Sequence, residues 1–314
     1  MKIAFMGSSE FSKIVLQALY NSNNQIVCVV TNPDKPVGRG GKVQFSQVKQ
    51  FAIEQSIPVL QFSSVSLEGE QDLKNLAPDV LVTASFSHYL KSNILNLAPY
   101  GVINVHPSLL PKYRGSSPIV WAVANGEEVT GVTIMKTAKQ MDAGNILSKC
   151  EISVLPDETA GELTLRLATL GGELLVRTLQ NLESGTITET PQNELEATYY
   201  PKLTKEMGKI DFNLTATQIK NLCNAFNPWP VCFVENESKN ILLKVYKASP
   251  FTESVLDENN FLIGQVVIAN AKKGLVVKCK DGFVLLDVIK SAGGKLMPSK
   301  VYLNGKKIEV GTQF

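Results

Sequence analysis

Apolar residues in the first two hundred positions follow two alternating patterns. Short apolar runs at 2–6, 26–31, 79–84 and 101–105 read as strands. Between the first two, Phe11, Ile14, Val15, Ala18 and Leu19 share one face of a helix. Such alternation predicts a mostly parallel sheet covered by helices. Val129–Lys136 and 145–154 read as strands around a turn. Leu163, Leu167, Leu170 and Leu174 then predict a helix from near Asp157 towards Leu182.

The pattern changes near residue 200. Ala216, Ile219, Leu222, Cys223 and Phe226 predict one more helix, stopped at Asn227-Pro228. Short strands follow at 231–234, 241–247, 263–268, 274–279 and 283–288, separated by Gly, Asn, Asp and Lys. That spacing predicts a small barrel or sandwich. The boundary between the two parts falls in the polar stretch around 200–209.

Composition narrows the class. The 314 residues are 44% hydrophobic and 19% charged, which suits a folded two-domain chain and excludes disorder. No apolar run reaches the roughly 18–20 residues that cross a bilayer, and the first residues read as a strand, not a leader. A soluble cytoplasmic protein is the expectation. Of the five cysteines, Cys28, Cys150, Cys223, Cys232 and Cys279, no two stand as C-x-x-C, and the chain has two histidines. A zinc cage or a disulfide framework is therefore not expected. The net charge of +2 is uneven: residues 205–314 hold 15 Lys, no Arg and 10 Asp or Glu, a net of +5, so the remainder carries −3. A basic tail on a slightly acidic head points to a polyanionic partner, although a solvated lysine surface gives the same count.

Candidate chemistry gathers at one strand end. The first strand runs into Gly7-Ser8-Ser9, which is not the G-x-G-x-x-G of a dinucleotide fold. The stronger signal is Gly101-Val102-Ile103-Asn104-Val105-His106-Pro107-Ser108-Leu109-Leu110-Pro111. Asn104 and His106 lie two apart on a strand, so they share a face at the carboxyl end of the sheet, where open α/β folds bind ligands. An amide and an imidazole aimed at one point can donate to a developing oxyanion. A buried histidine held by a backbone carbonyl would show the same pattern. Asp142, in Met141-Asp142-Ala143-Gly144, reads first as a turn residue. If it turned back to meet His106, its carboxylate would favour a charged ring.

These segments resemble the folate-dependent formyltransferase family. Residues 104–115, Asn-Val-His-Pro-Ser-Leu-Leu-Pro-Lys-Tyr-Arg-Gly, are similar to its signature nearly residue for residue, and Thr130-Gly131-Val132-Thr133-Ile134-Met135 with 141–144 fit its next block. The resemblance implies an α/β, Rossmann-like formyltransferase domain (1–203) followed by a small OB-type β-barrel (209–314) that binds tRNA. It implies Asn104, His106 and Asp142 as the catalytic trio and 10-formyltetrahydrofolate as formyl donor, with no metal. It also implies a folate pocket lined by Phe86, Ser87, Tyr89, Leu90, Ser108, Leu109, Leu110 and Pro111. Ser87 and Lys91 depart from the family, which carries glycine and proline there.

Three further segments resemble the branch that acts on methionyl-tRNA. Residues 33–42 resemble its basic insertion loop, which implies tRNA contacts by Lys35, Arg39 and Lys42. Residues 202–211 resemble its connector, and 225–230 the opening of its second domain. The resemblance thins after about residue 235. A monomer is expected. Two alternatives remain at this stage: a formyltransferase for a small amine such as a nucleotide sugar, and an RNA-binding protein with an inactive folate domain.

Overall fold

A computed structural model describes residues 1–37, 42–256 and 260–314. The backbone divides into two compact units. One holds Met1–Pro118, Val129–Ser153 and Thr164–Tyr200; the other holds Ile119–Glu128, Val154–Leu163 and Pro201–Phe314.

The first unit is built on seven strands: β1 (Lys2–Met6), β2 (Gln25–Thr31), β3 (Val59–Gln61), β4 (Val80–Ala84), β5 (Val102–His106), β6 (Val129–Lys136) and β7 (Ile146–Ser153). They order as β7-β6-β5-β4-β1-β2-β3. From β5 to β3 the neighbours are parallel, while β6 and β7 join antiparallel. The parallel strands are apolar on both faces, as strands covered by helices must be: every residue of β4 is buried, and Ile3, Phe5 and Ile103 are fully so. The sheet is therefore mixed, with an antiparallel pair on one edge of the expected parallel core.

Helix α1 (Glu10–Tyr20) starts at a capping box between Ser9 and Ser12. It buries Phe11, Ser12, Val15, Leu16 and Leu19, a face rotated from the predicted one. Ser12 is drawn inward because its hydroxyl donates to the Ala84 carbonyl at 2.6 Å. Gly7 is tight for the same reason: a Cβ there would stand 2.6 Å from Ser12 and 2.7 Å from the Ala84 carbonyl oxygen. Helix α2 (Gln47–Glu54) follows a short antiparallel pair, Lys35–Val37 with Lys42–Gln44. The long helix α3 (Ala160–Glu183) buries Leu163, Leu167, Leu174, Leu175 and Leu179.

The second unit carries helix α4 (Ala216–Ala225) and the strands β8 (Cys232–Asn236), β9 (Ile241–Pro250), β10 (Val266–Asn270), β11 (Gly274–Cys279) and β12 (Gly282–Ser291). They pair antiparallel in the order β8-β9-β12-β11-β10, and Met297–Pro298 adds to β12. Val245, Ala248, Leu275, Val276, Val277, Val284, Leu286 and Ile289 form its core. This is the small antiparallel β unit that the spacing predicted. Among the described residues no helix is long and apolar enough to cross a membrane.

Candidate active site

Strand β5 brings the candidate chemistry to the carboxyl edge of the sheet. It lies between β4 and β6, with Asn104 opposite Thr83 on one side and Met135 on the other. The Thr83 hydroxyl is 2.9 Å from Asn104 Oδ1 and 3.4 Å from the Ile103 carbonyl. It has one proton, and the shorter contact takes it. With Oδ1 thus accepting, the Asn104 amide presents its NH2 group, a donor, on the other side.

His106 is buried, with 4% of its surface exposed. Its Nε2 stands 3.0 Å from the Tyr113 carbonyl oxygen. A carbonyl only accepts, so Nε2 carries a proton whatever the charge of the ring. Nδ1 is the other ring nitrogen. It faces Asp142 Oδ1 at 3.8 Å, an ion-pair distance too long for a hydrogen bond. Both expectations for this histidine are thus met in one ring: a backbone carbonyl holds one nitrogen and a carboxylate faces the other.

The Tyr113 carbonyl reaches His106 because 107–113 folds back on itself. Ser108 donates its hydroxyl to the Lys112 carbonyl at 2.8 Å, and its own carbonyl accepts from the Thr133 hydroxyl at 2.7 Å. Leu110 N–H donates to that same Thr133 oxygen at 3.1 Å. Tyr113 has φ 61° and its ring stacks on Tyr200 at 4.8 Å.

Asp142 lies in the turn between β6 and β7 with φ 50°, the left-handed region that ordinary residues avoid. Its Oδ2 accepts from Gly115 N–H at 2.8 Å. Gly144, two residues on, is fixed by space: a Cβ there would lie 1.7 Å from the Lys136 carbonyl oxygen. The Asp-Ala-Gly motif is therefore both a turn and the means of returning a carboxylate to β5. The structure brings Asn104 and His106 onto one strand face and Asp142 to His106.

The residues expected around a folate are placed less uniformly. Tyr89 is exposed, and its hydroxyl donates to the Lys139 carbonyl at 3.4 Å. Ser87 is exposed beside the Asn32 amide, at 3.4 Å from its nitrogen. Leu90 is buried in a core cluster against which Phe86 packs. Leu109 is half-buried, whereas Ser108, Leu110 and Pro111 are buried. Leu110 forms a small core with Met135 and Ile146. A cavity of about 750 Å³ lies at the amino end of β5, lined by Leu95, Val102, Lys136, Thr137 and Lys139, among others, and by none of the trio. None of the expected folate residues lines it. The Thr137 hydroxyl oxygen on its wall is buried and has no hydrogen-bond partner among the described residues.

Of the expected tRNA contacts, Lys35 is exposed and opens the short strand pair, Lys42 begins its second strand, and Arg39 lies outside the described residues. The base of this pair is tied down. Lys49 bonds Asp34 and, at 2.9 Å, Gln61, whose amide donates to Asp34 at 3.1 Å and to the Asn32 carbonyl at 2.8 Å. The Lys49 ammonium holds the Asp34 carboxyl below the usual carboxylate range.

Comparison with known proteins places this architecture. Residues 1–179 match the formyl transferase family model, and residues 202–307 match that of the formyl transferase C-terminal domain. The chain is 41% identical to a methionyl-tRNA formyltransferase of Ruminiclostridium cellulolyticum, covering 99% of this chain and 98% of that one. It is 42% identical to a methionyl-tRNA formyltransferase of Acetivibrio thermocellus at the same coverage. Among solved structures, an N-formyltransferase from Helicobacter canadensis, in complex with folinic acid and dTDP-3-aminofucose, superposes with a TM-score of 0.66. It covers 93% of this chain and 100% of its own at 19% identity, a likeness of fold alone. The chain belongs to the formyl transferase family.

Proposed function

We propose that the protein transfers the formyl group of 10-formyltetrahydrofolate to the free amine of initiator methionyl-tRNA, giving N-formylmethionyl-tRNA for translation initiation. The convergence of Asn104, His106 and Asp142 at one strand end carries the chemical half of this reading. Full-length relatives named for that reaction support the choice of acceptor.

The donor would lie along the segments that the resemblance implies for it, Phe86, Ser87, Tyr89 and Leu90 after β4 and Ser108, Leu109, Leu110 and Pro111 after β5, both at the strand ends that carry the trio. The folate supplies an activated formyl carbon; this chain's residues do the rest. As the acceptor nitrogen bonds that carbon, negative charge develops on the formyl oxygen. The Asn104 amide donates to it, and a protonated His106 does so through Nδ1. Asp142 puts negative charge where that ring carries its positive charge. It also gives the proton leaving the amine a place to go, through a water, before the folate nitrogen departs with it.

Residues 1–203 then act as the catalytic part. Residues 209–314 act as an OB-type, tRNA-binding part whose net positive charge favours a polyanion. Lys35, Arg39 and Lys42 reach the acceptor end of the tRNA. The protein works in the cytoplasm as a monomer. A formyl-transfer assay with labelled donor tests the reading. Methionyl-tRNA should be formylated and a nucleotide amino sugar should not; the reverse result would move the protein to a small-amine branch.

A further inference from the structure

Arg114 is fully buried, yet every one of its five N–H donors is used. Nε and Nη2 donate to Gln192 Oε1 at 3.1 and 2.9 Å. Nη1 and Nη2 donate to the two Glu194 carboxylate oxygens at 2.8 and 2.7 Å, and Nη1 also reaches the Tyr199 hydroxyl at 2.7 Å. A buried guanidinium is costly unless so paired, and an apolar side chain would fill the same space more cheaply. This network therefore invites a functional reading.

Its outlet is Gln192. Because Oε1 faces a group that only donates, the orientation of the Gln192 amide is fixed, and Nε2 must point the other way. Nε2 donates to the carbonyl of Asp142 and to that of Gly144, each at 2.8 Å. The two carbonyls span the turn that holds Asp142 in a left-handed conformation. The next residue after Arg114, Gly115, donates its N–H to the Asp142 side chain. Backbone and carboxylate of Asp142 are thus both set by groups attached to Arg114, leaving Oδ1 turned to His106.

We propose that Gln192, oriented by the buried Arg114, is a positioning residue that sets Asp142 against His106 for formyl transfer. The proposal rests on the role given to Asp142 above. A carboxylate that assists a neighbouring ring is sensitive to its placement, and small displacements of catalytic groups are known to be expensive in rate.

Gln192→Glu separates this role from a merely structural one. Glutamate keeps the shape and still accepts from Arg114, but has no proton for the two carbonyls. Kinetics of the full chain with methionyl-tRNA and 10-formyltetrahydrofolate should show kcat lower by about 10- to 100-fold, with both KM values little changed and the melting temperature preserved. In an Asp142→Ala background the same substitution should cost less than about twofold, because nothing remains to be positioned. Full activity of Q192E would overturn the proposal. So would a loss that persists undiminished beside D142A, since Gln192 would then act elsewhere. If Q192E does not fold, Gln192→Met is read by the same cycle, and loss of folding in both assigns the network to stability alone. Full activity of D142A would sink the role of Asp142 itself, and this positioning role with it; an inactive D142A beside a fully active Q192E would sink only the latter.

Discussion

Strands β4 and β5 run parallel and side by side, and each leads to one of the chain's two histidines. His88 follows β4 by four residues; His106 ends β5. Both rings are at least partly buried, so burial does not separate them. Their partners do. His88 Nδ1 accepts from Val65 N–H at 3.4 Å, its ring leans on Phe86 at 4.5 Å, and burial pushes its pKa down, with Glu68 pulling weakly the other way. Such a ring is held neutral and packs. His106 has a carbonyl on one nitrogen, which demands a proton, and a carboxylate facing the other. The lesson is that the polar neighbours of the rings, an acceptor beside each nitrogen at His106 and a donor beside one at His88, separate two histidines that burial does not.

The sharpest way to break the comparison is to remove each ring in turn. His106→Ala should lower turnover by about 100- to 1,000-fold, the usual cost of one oxyanion donor. It also removes the hydrogen bond from Nε2 to the Tyr113 carbonyl, worth roughly 0.5–1.5 kcal/mol of stability. Turnover must therefore be expressed per folded molecule, with melting followed on the same sample. If activity falls only in step with unfolding, His106 is the packing histidine and the contrast disappears.

A smaller effect should follow from Thr83, one strand over. Its hydroxyl is what orients the Asn104 amide. Thr83→Val keeps the branched shape but lets the amide turn its oxygen towards the formyl oxygen. The bond is worth about 1 kcal/mol, so kcat should fall about threefold to tenfold with KM for the folate unchanged. Unaltered turnover would show that Asn104 is oriented by something else.

Much of this edge was legible in the sequence, and what was not has a physical cause. The ends of β5 and β6 and the turn at Asp142 follow from apolar runs bounded by Pro107 and Gly144, which local chemistry dictates. Ser12 on the buried face of α1 was not legible, because a polar residue drawn in by one bond to Ala84 leaves no apolar period. The strand expected at 263–268 instead forms at Val266–Asn270, since Gly264 takes φ 85° and Leu262 and Ile263 are exposed. Helix α2 escaped notice because only Val48, Phe51 and Ala52 of its eight residues are buried. The partner of His106 and the Arg114–Gln192 pair were out of reach for another reason. One is a main-chain carbonyl, which carries no sequence identity, and the other joins residues 78 apart.

The mildest test concerns His88. His88→Gln keeps an acceptor for Val65 N–H but removes the titrating ring, so formyl transfer should stay within about twofold of the parent if the ring only packs. Its signature should appear in the pH dependence of stability. The folded pKa of His88 lies below the unfolded one, so the neutral ring is favoured by folding. Its contribution is complete above the unfolded value of about 6.5 and is lost as pH falls through the folded value, because the unfolded chain takes up the proton first. The parent should therefore lose melting temperature faster than the variant on acidification below about pH 6.5, while the two stay parallel above it. The size is modest because the ring is only partly buried and Glu68 offsets some of the effect. Parallel curves through the whole acid range would mean that His88 titrates alike in both states. A large loss of turnover in His88→Gln would be more serious, since it would place chemistry at the end of β4 and erase the distinction between the two strand ends.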